Sequence, residues 1–386
     1  MWIMMSCPYS LSRPGGVQGQ TLGLARSLRN LGHTVTVVAP HDELRPGTFL
    51  PCGSDGEGGP FWSATTSAVT TRPALFPLDG TWVVGPSTPI RSNGSVAPVA
   101  LSPVAALRVK RLLRGQSPDI IHLHEPLAPV INYAYLLSTA VPVVGTFHRS
   151  GPSVWHRGLS PLVRWATSRL TVRCAVSQAA AETTGSKDVE ILFNGVEVER
   201  FVKAIPWPTE APTIMFLGRH ESRKGLELLM RAFVEIPGEA VLWIGGDGPE
   251  SKRLRLTYPE SSRIHWLGEL SEEEKTSRLR GAHILCAPSL YGESFGVVLL
   301  EGMAARCSVV ASELDGHRAA ANGQAHFFPV GDQSALSRLL IDALSDMRSR
   351  APTRTATLER AFAHASSLSI DHLAECYESI YAHIRL

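Results

Sequence analysis

Strand-like and helix-like runs alternate along this chain in two successive series, and that alternation limits its possible folds more than any other feature. The first series opens with the apolar run 2–6, passes through a loop at 7–16, and continues with helical spacing over 17–31 (Leu22, Leu24, Ala25, Leu28, Leu31). Gly32 suits the end of that helix, and the β-branched run 34–39 follows. A strand–helix–strand opening predicts a parallel sheet, with further strands at 120–123, 141–146, 171–176 and 190–192. A second series begins near Pro212, with strands expected at 213–217, 240–244, 263–267, 282–287 and 308–312. Ser271 followed by Glu274 is a capping-box signature for a helix running through Arg280. With 386 residues the chain exceeds what one core supports. The fold class is therefore α/β with two Rossmann-like domains, expected at 1–205 and 206–366, and a helix at about 367–386 returning to the first. Three prolines, Pro206, Pro208 and Pro212, mark the expected linker. Ligands of such domains bind at the carboxyl ends of the strands, so a cleft between the two is the expected site. From Pro40 to Pro98 the alternation fails, and the glycine-rich 53–59 lies inside what reads as a long surface excursion at about 40–92.

Charge and cysteine usage exclude several classes. Lys and Arg total 37 against 35 Asp and Glu, a net charge of +2, which argues against a general nucleic-acid binder. The six cysteines are scattered without a C-x-x-C pair, as expected of buried thiols in a reducing compartment. No apolar run approaches the ~20 residues that span a bilayer, and Met1–Cys7 lacks a basic start, so a cytoplasmic protein is expected.

Several short segments carry chemistry. Gly15-Gly16 lies between the first strand and the first helix, where a glycine lets backbone approach an anion at a helix start; a plain turn explains it equally well. Arg219 and Lys224 flank a strand-to-helix loop, an arrangement suited to a diphosphate, with Arg forking two oxygens and Lys adding a point charge. Glu301 falls in the apolar stretch 297–305 and so needs a partner, for which ribose hydroxyls are natural. Ser294, Phe295 and Gly296 stand where a helix start can aim N–H groups at phosphate; a helix cap and an ion pair are the bland alternative. His122 and His124 alternate on a strand, with Glu125 next, but zinc wants three or four placed ligands, and no metal is expected. Gly245-Gly246-Asp247-Gly248 follows a strand without the G-x-G-x-x-G spacing of a dinucleotide-dependent oxidoreductase. Arg108, Lys110, Arg111 and Arg114 fall on one arc of a helix over 104–114, with Ala105, Val109, Leu112 and Leu113 on another.

Gly292-Glu293-Ser294-Phe295-Gly296, with Glu301 eight residues after Glu293, resembles the signature of retaining GT-B glycosyltransferases of family 4, and Gly218-Arg219 and Arg223-Lys224-Gly225 match in order and spacing. Cys7-Pro8-Tyr9-Ser10, Pro14-Gly15-Gly16-Val17-Gln18, Asn93-Gly94-Ser95-Val96-Ala97, His122-Leu123-His124-Glu125-Pro126 and Thr146-Phe147-His148 resemble the phosphatidylinositol mannosyltransferases. The resemblance covers nearly the whole chain apart from 40–89 and the tail. It implies that Gly16, Arg219 and Lys224 hold a donor diphosphate, with Ser294, Phe295 and Gly296 beside it. It also implies that Glu301 binds ribose, that Glu293 contacts the donor sugar, and that His148 lies at the reacting centre. Tyr9, Gln18, Asn93 and Ser95 would line the acceptor side, and the basic arc would meet anionic lipid at the inner face of the cell membrane. GDP-mannose is the implied donor, with no obligatory cofactor, and a monomer is expected. The chemistry implied is a front-face transfer in which the leaving diphosphate takes the acceptor proton and Arg219 and Lys224 stabilise the departing charge. Pro98 stands where the family has an arginine that meets lipid phosphate. Alternatives are a relative using a UDP-sugar or a soluble acceptor, and a non-catalytic nucleotide- or lipid-binding module.

Overall fold

The computed structural model describes residues 1–13, 15–52, 79–92, 95–114, 116–149, 160–349 and 352–385. The chain divides into two compact units: residues 1–195 with 370–386, and residues 196–369.

The first unit runs β1 (Trp2–Ser6), α1 (Gly16–Asn30), β2 (Thr34–Ala39), β3 (Phe49–Pro51), β4 (Gly80–Val83), β5 (Thr88–Ser92), β6 (Ser95–Val99), α2 (Pro103–Leu113), β7 (Ile120–His124), α3 (Ile131–Ser138), β8 (Val143–Phe147), α4 (Ser160–Ser168), β9 (Val172–Ala175), α5 (Gln178–Glu182) and β10 (Glu190–Ile191). Its sheet has the order β10-β9-β8-β7-β1-β2-β4-β3, parallel except for β3, and β5 pairs with β6 as a separate antiparallel hairpin. Period-two alternation sorts the strands between two cores: Met4, Val38, Ile121 and Leu123 face the layer holding α2 and α3. Ile3, Met5, Val35, Val37 and Ile120 face α1 and the C-terminal helix Ile370–Arg385, which contributes Ile370, Ala374, Tyr377 and Tyr381.

The second unit runs α6 (Val198–Lys203), β11 (Thr213–Leu217), α7 (Leu226–Val234), β12 (Val241–Gly245), α8 (Ser251–Thr257), β13 (Ile264–Gly268), α9 (Glu272–Gly281), β14 (Ile284–Ala287), α10 (Val297–Ala304), β15 (Ser308–Ser312), α11 (Asp315–Ala321), β16 (His326–Phe328), α12 (Gln333–Ser349) and α13 (Pro352–Ser367). The Ile370–Arg385 helix of the first unit is then α14. The six strands are parallel in the order β13-β12-β11-β14-β15-β16. Met215 faces one core, Ile214 and Phe216 the other.

Two placements differ from the sequence reading. The chain passes between the units at 195/196, not at 205/206. The proline-bearing segment is instead docked on α9: Trp207 N donates to Ser277 O (2.9 Å), Ser277 Oγ donates to Ile205 O (2.7 Å), and the Arg278 guanidinium lies 3.7 Å from the Trp207 ring centroid. Prolines forbid a helix there but do not forbid packing. The irregular 40–98 stretch also contributes β3 to β6; residues 53–78 lie outside the described residues. In the first unit, the side-chain amide of Gln20 donates to Gly195 O (2.7 Å) and accepts from Gly195 N (2.9 Å), where a Cβ on Gly195 would come within 2.6 Å of Ile370 Cα.

Candidate active site

In the second unit the loops at the carboxyl ends of β11, β12 and β14 meet, and glycines permit the approach. A Cβ at Gly225 would lie 1.9 Å from Pro288 O, one at Gly246 2.1 Å from Gly218 O, and one at Gly316, at the start of α11, 2.3 Å from Glu293 O. Gly225 and Gly246 also have positive φ, +68° and +113°, where a side chain is strained in any case. Arg219 leaves β11, and Lys224 ends the short 3-10 turn Ser222–Lys224. Lys224 Nζ donates to Glu293 Oε1 at 2.6 Å, Ser289 Oγ donates to the same oxygen at 2.8 Å, and Arg223 Nη1 is 3.7 Å away. Burial would raise the Glu293 carboxyl, but the Lys224 ammonium and His317 beside it hold it down at about 2. Arg219 Nε and Arg223 Nε both reach the buried Glu221 carboxylate, at 3.1 and 2.8 Å. Arg219 keeps 42% of its side chain exposed. Gly296, with φ +94°, caps α10 in the left-handed region, and the Phe295 side chain is buried, so Ser294-Phe295-Gly296 forms the turn into the helix. Glu301 points to Lys275, 2.8 Å from its Nζ, so an ion pair within the protein supplies the partner that its apolar helix demands.

At the carboxyl ends of β1, β7 and β8 in the first unit, the groups are mainly neutral. His122 bonds Tyr381 OH (2.6 Å) and Thr146 Oγ1 (2.7 Å), and Thr146 Oγ1 meets Tyr377 OH (2.7 Å). Both ring nitrogens of His122 are thus bonded to hydroxyls. Among the described residues no group of three or more His, Cys, Asp or Glu could hold a metal ion. His124 stacks on His122 at 4.6 Å between centroids, and its Nδ1 meets His148 Nε2 at 2.9 Å. Burial pushes His122 down to about 3 and His148 to about 4, so both imidazoles stay uncharged at neutral pH. Asn132 braces the end of β7: its Nδ2 donates to the carbonyls of His124 (2.9 Å) and Glu125 (2.8 Å), while its Oδ1 accepts from Ser6 Oγ (2.7 Å). Glu125 is buried with φ +48°, and its carboxylate accepts the His148 backbone N–H at 2.8 Å. Burial pushes it up to about 7, against the pull of Arg149 and the His148 and Arg149 amides.

The other expected residues fall as follows. Gly16 opens α1, and a Cβ there would meet no atom within 4 Å, so packing inside the protein does not require the glycine. Gln18 is buried and its amide donates to Ser10 O and Arg13 O, both at 3.3 Å, so it braces the β1–α1 loop rather than standing open. Tyr9 is half-buried and bridges to Val99, and Ser10 N donates to Pro98 O at 2.9 Å. The Pro98 position thus ties β6 to that loop through its carbonyl. Asn93 and the Ser95 side chain lie outside the described residues. In α2, Arg108 is not on the solvent face with the others: its Nη1 donates to Val84 O at 2.8 Å. The exposed stripe is Val104 (49% exposed), Leu107 (55%), Arg111 and Arg114, with Lys110 half-exposed beside it.

Sequence reasoning missed the groups that hold these side chains. Glu221, Ser289, Lys275 and His317 lie beside the motifs but are unremarkable in type. A further cluster joins His220 Nδ1 to Ser251 Oγ (2.8 Å), and Ser251 Oγ to Asp247 and Gly248 N. Its Asp-Gly signal was visible after β12, but as a failed dinucleotide fingerprint rather than as a loop brace.

Two Rossmann-type sheets, one in each unit and parallel apart from β3, define the GT-B fold. Comparison with solved structures agrees: sucrose-phosphate synthase from Thermosynechococcus elongatus aligns over 99% of this chain and 98% of its own, with TM-score 0.72 and 17% identity. Anabaena HepE in complex with UDP-glucose aligns over 99% and 100%, with TM-score 0.72 and 17% identity. Residues 14–200 match the family described as Glycosyltransferase Family 4, and residues 197–360 match Glycosyl transferases group 1. A phosphatidyl-myo-inositol mannosyltransferase of Mycolicibacterium smegmatis is 34% identical over 98% of this chain and 94% of its own length. The chain belongs to the phosphatidyl-myo-inositol mannosyltransferase-like glycosyltransferases of family 4, retaining enzymes that use nucleotide-sugar donors.

Proposed function

We propose that this enzyme transfers mannose from GDP-mannose, with retention, to the inositol of a phosphatidylinositol-type lipid at a membrane surface. The observation that carries the chemistry is Lys224, held at 2.6 Å on Glu293 in the same loop system as Arg219. Lys224 and Arg219 neutralise the donor diphosphate, together with backbone N–H groups at 294–296. Glu293, ionised at every working pH, accepts from donor-sugar hydroxyls, and Glu301 accepts from the ribose. His148, neutral and tethered by His124, offers a hydrogen bond near the anomeric carbon without placing a charge there. The leaving diphosphate then takes the acceptor proton on the face it departs from. Tyr9 and the β5–β6 hairpin carrying Asn93 and Ser95 serve the acceptor side.

The lipid acceptor is supported by the named relatives and by the α2 stripe, where exposed Val104 and Leu107 adjoin Lys110, Arg111 and Arg114. No helix among the described residues is long and apolar enough to cross a membrane, and a stripe of this kind suits peripheral binding in the interface plane. A second reading, a soluble acceptor, is favoured by Pro98 in place of the family's arginine. Both are tested by incubating the enzyme with radiolabelled GDP-mannose, UDP-glucose or UDP-galactose, phosphatidylinositol vesicles and free inositol phosphates. Label in a solvent-extractable lipid from GDP-mannose alone is the expected result. Label only in a water-soluble product, or only from a UDP-sugar, overturns the lipid or donor assignment respectively.

A further inference from the structure

Glu301 is the end of an unbroken series of alternating charges. Lys275 Nζ lies 2.8 Å from Glu301 Oε1 and 2.7 Å from Glu272 Oε2; Arg200 Nη1 reaches the same Glu272 oxygen at 2.7 Å, and its Nη2 reaches Glu197 Oε2 at 2.7 Å. Three carboxylates and two cations thus run from α10 through α9 to α6. Lys275 and Glu301 keep only 17% and 18% of their side chains exposed. Burial alone would depress the Lys275 ammonium, yet Glu301 and Glu272 raise it, so Lys275 is charged at all working pH values.

We propose that Lys275 is a positioning residue for the donor ribose: it holds the Glu301 carboxylate in one orientation as the acceptor for the ribose hydroxyls. The inference rests on the reading of Glu301 as the ribose acceptor. Ribose hydroxyls donate along the lone-pair directions of a carboxylate, so an acceptor already held in one orientation binds them better than a mobile one. Glu301 occupies a helix whose Leu299, Leu300, Met303 and Ala304 are all buried, an environment that penalises a lone negative charge. A lysine beside it removes that penalty. A mobile lysine would also be drawn to the donor diphosphate. Here Glu272 takes a second N–H of Lys275, and Arg200 with Glu197 fixes Glu272 in turn, so the ammonium stays on Glu301. Glu272 and Lys275 stand three residues apart on α9, the spacing that puts both on one helix face.

An ion pair that merely fastened α9 to α10 would affect stability without distinguishing one nucleotide from another. Calorimetric titration of the full-length wild type, Lys275→Met, Lys275→Arg and Glu272→Gln with GDP, UDP and their 2′,3′-dideoxy counterparts therefore decides the matter. For the base that binds, wild type should prefer the ribonucleotide about tenfold to hundredfold, the range of hydrogen bonds to charged groups. Lys275→Met should weaken ribonucleotide binding by about tenfold and leave the dideoxy form within about twofold, with Lys275→Arg recovering most of the loss. Glu272→Gln, which keeps the Lys275–Glu301 contact but frees the lysine, should fall between, and it supplies the same readout if Lys275→Met does not fold. Equal weakening of both nucleotide forms, or no weakening in folded variants, overturns the role of Lys275. A wild type indifferent to the ribose hydroxyls overturns the assignment of Glu301 itself.

Discussion

At the carboxyl ends of the six-stranded sheet, carboxylates are matched by cations: Glu293 by Lys224, Glu221 by Arg219 and Arg223, Glu301 by Lys275. At the corresponding ends of the eight-stranded sheet, the buried groups are imidazoles and hydroxyls bonded to one another, with Glu125 as the buried carboxylate among them. The contrast fits the proposed division, with the donor diphosphate on one side and the acceptor alcohol on the other. A diphosphate must meet fixed positive charge, and a fixed cation in a partly buried loop needs a carboxylate to hold it until the ligand arrives. A reacting alcohol is neutral, and uncharged acceptors and donors orient it without attracting the wrong ion. One unit therefore stores charge in pairs, and the other avoids it.

The largest expected effect lies on the charged side. Lys224→Ala should cost about 2–4 kcal/mol of transition-state stabilisation, as loss of a preorganised donor does, read in kcat at saturating donor. The same substitution leaves the buried Glu293 without its closest cation. Turnover within a few-fold of wild type would remove the basis for treating that unit as the anion-holding half.

The next sharpens the claim that the first unit avoids charge. The Glu125 carboxyl is raised by burial to about 7, so its stabilising contribution is fully present below its ordinary value of 4.5 and is lost as pH rises through about 7. Glu125→Gln removes that dependence. Hydrogen exchange of the β8 amides, corrected for intrinsic rates, should show wild type losing about 3 kcal/mol relative to the variant between pH 4.5 and 7.5. Parallel pH profiles would mean that Glu125 stays ionised, and the contrast between the units would fail there.

Tyr381→Phe leaves His122 Nδ1 buried without its hydroxyl partner and should destabilise the first unit by about 1–2 kcal/mol, measured by chemical unfolding. A neutral outcome would show the imidazole network to be incidental to that unit's stability. The smallest effect belongs to the surface. Arg111→Ser and Arg114→Ser should each weaken binding to anionic vesicles by about 1 kcal/mol or less, with the loss shrinking as salt is added. Arg108→Ser should matter less for vesicles, since that side chain is tied to Val84. Co-sedimentation across a salt series separates the three.

Which parts were legible in the sequence depended on distance along the chain. Most strands of both sheets were, because parallel strands buried on two faces read as dense apolar runs. The charged loop 219–225 and the turn and helix at 292–301 were legible too, since each is a contiguous motif. The short β16 and the strands β3 to β6 were not, because they are brief or flanked by irregular sequence. The supports were the least visible. Tyr381 lies 259 residues from His122, and Lys275 lies 26 from Glu301; no local pattern announces either pair. Proline content predicted the linker wrongly because it reports backbone restriction and not the absence of packing, which Trp207 and Arg278 supply.

Helix α14 completes the first unit from the far end of the sequence: it packs beside α1, adds Ile370, Ala374, Tyr377 and Tyr381 to the core that holds Ile3 and Met5, and bonds His122 and Thr146 through its tyrosines. A ribosome delivers residues in order, so the first unit emerges with that core closed only by α1 and stays so while all of 196–369 is made. The second unit, continuous in sequence, can finish folding before the first one closes. A nascent chain stalled before residue 370 presents a core covered by α1 alone, whereas one stalled a few turns later has the second helix to close it.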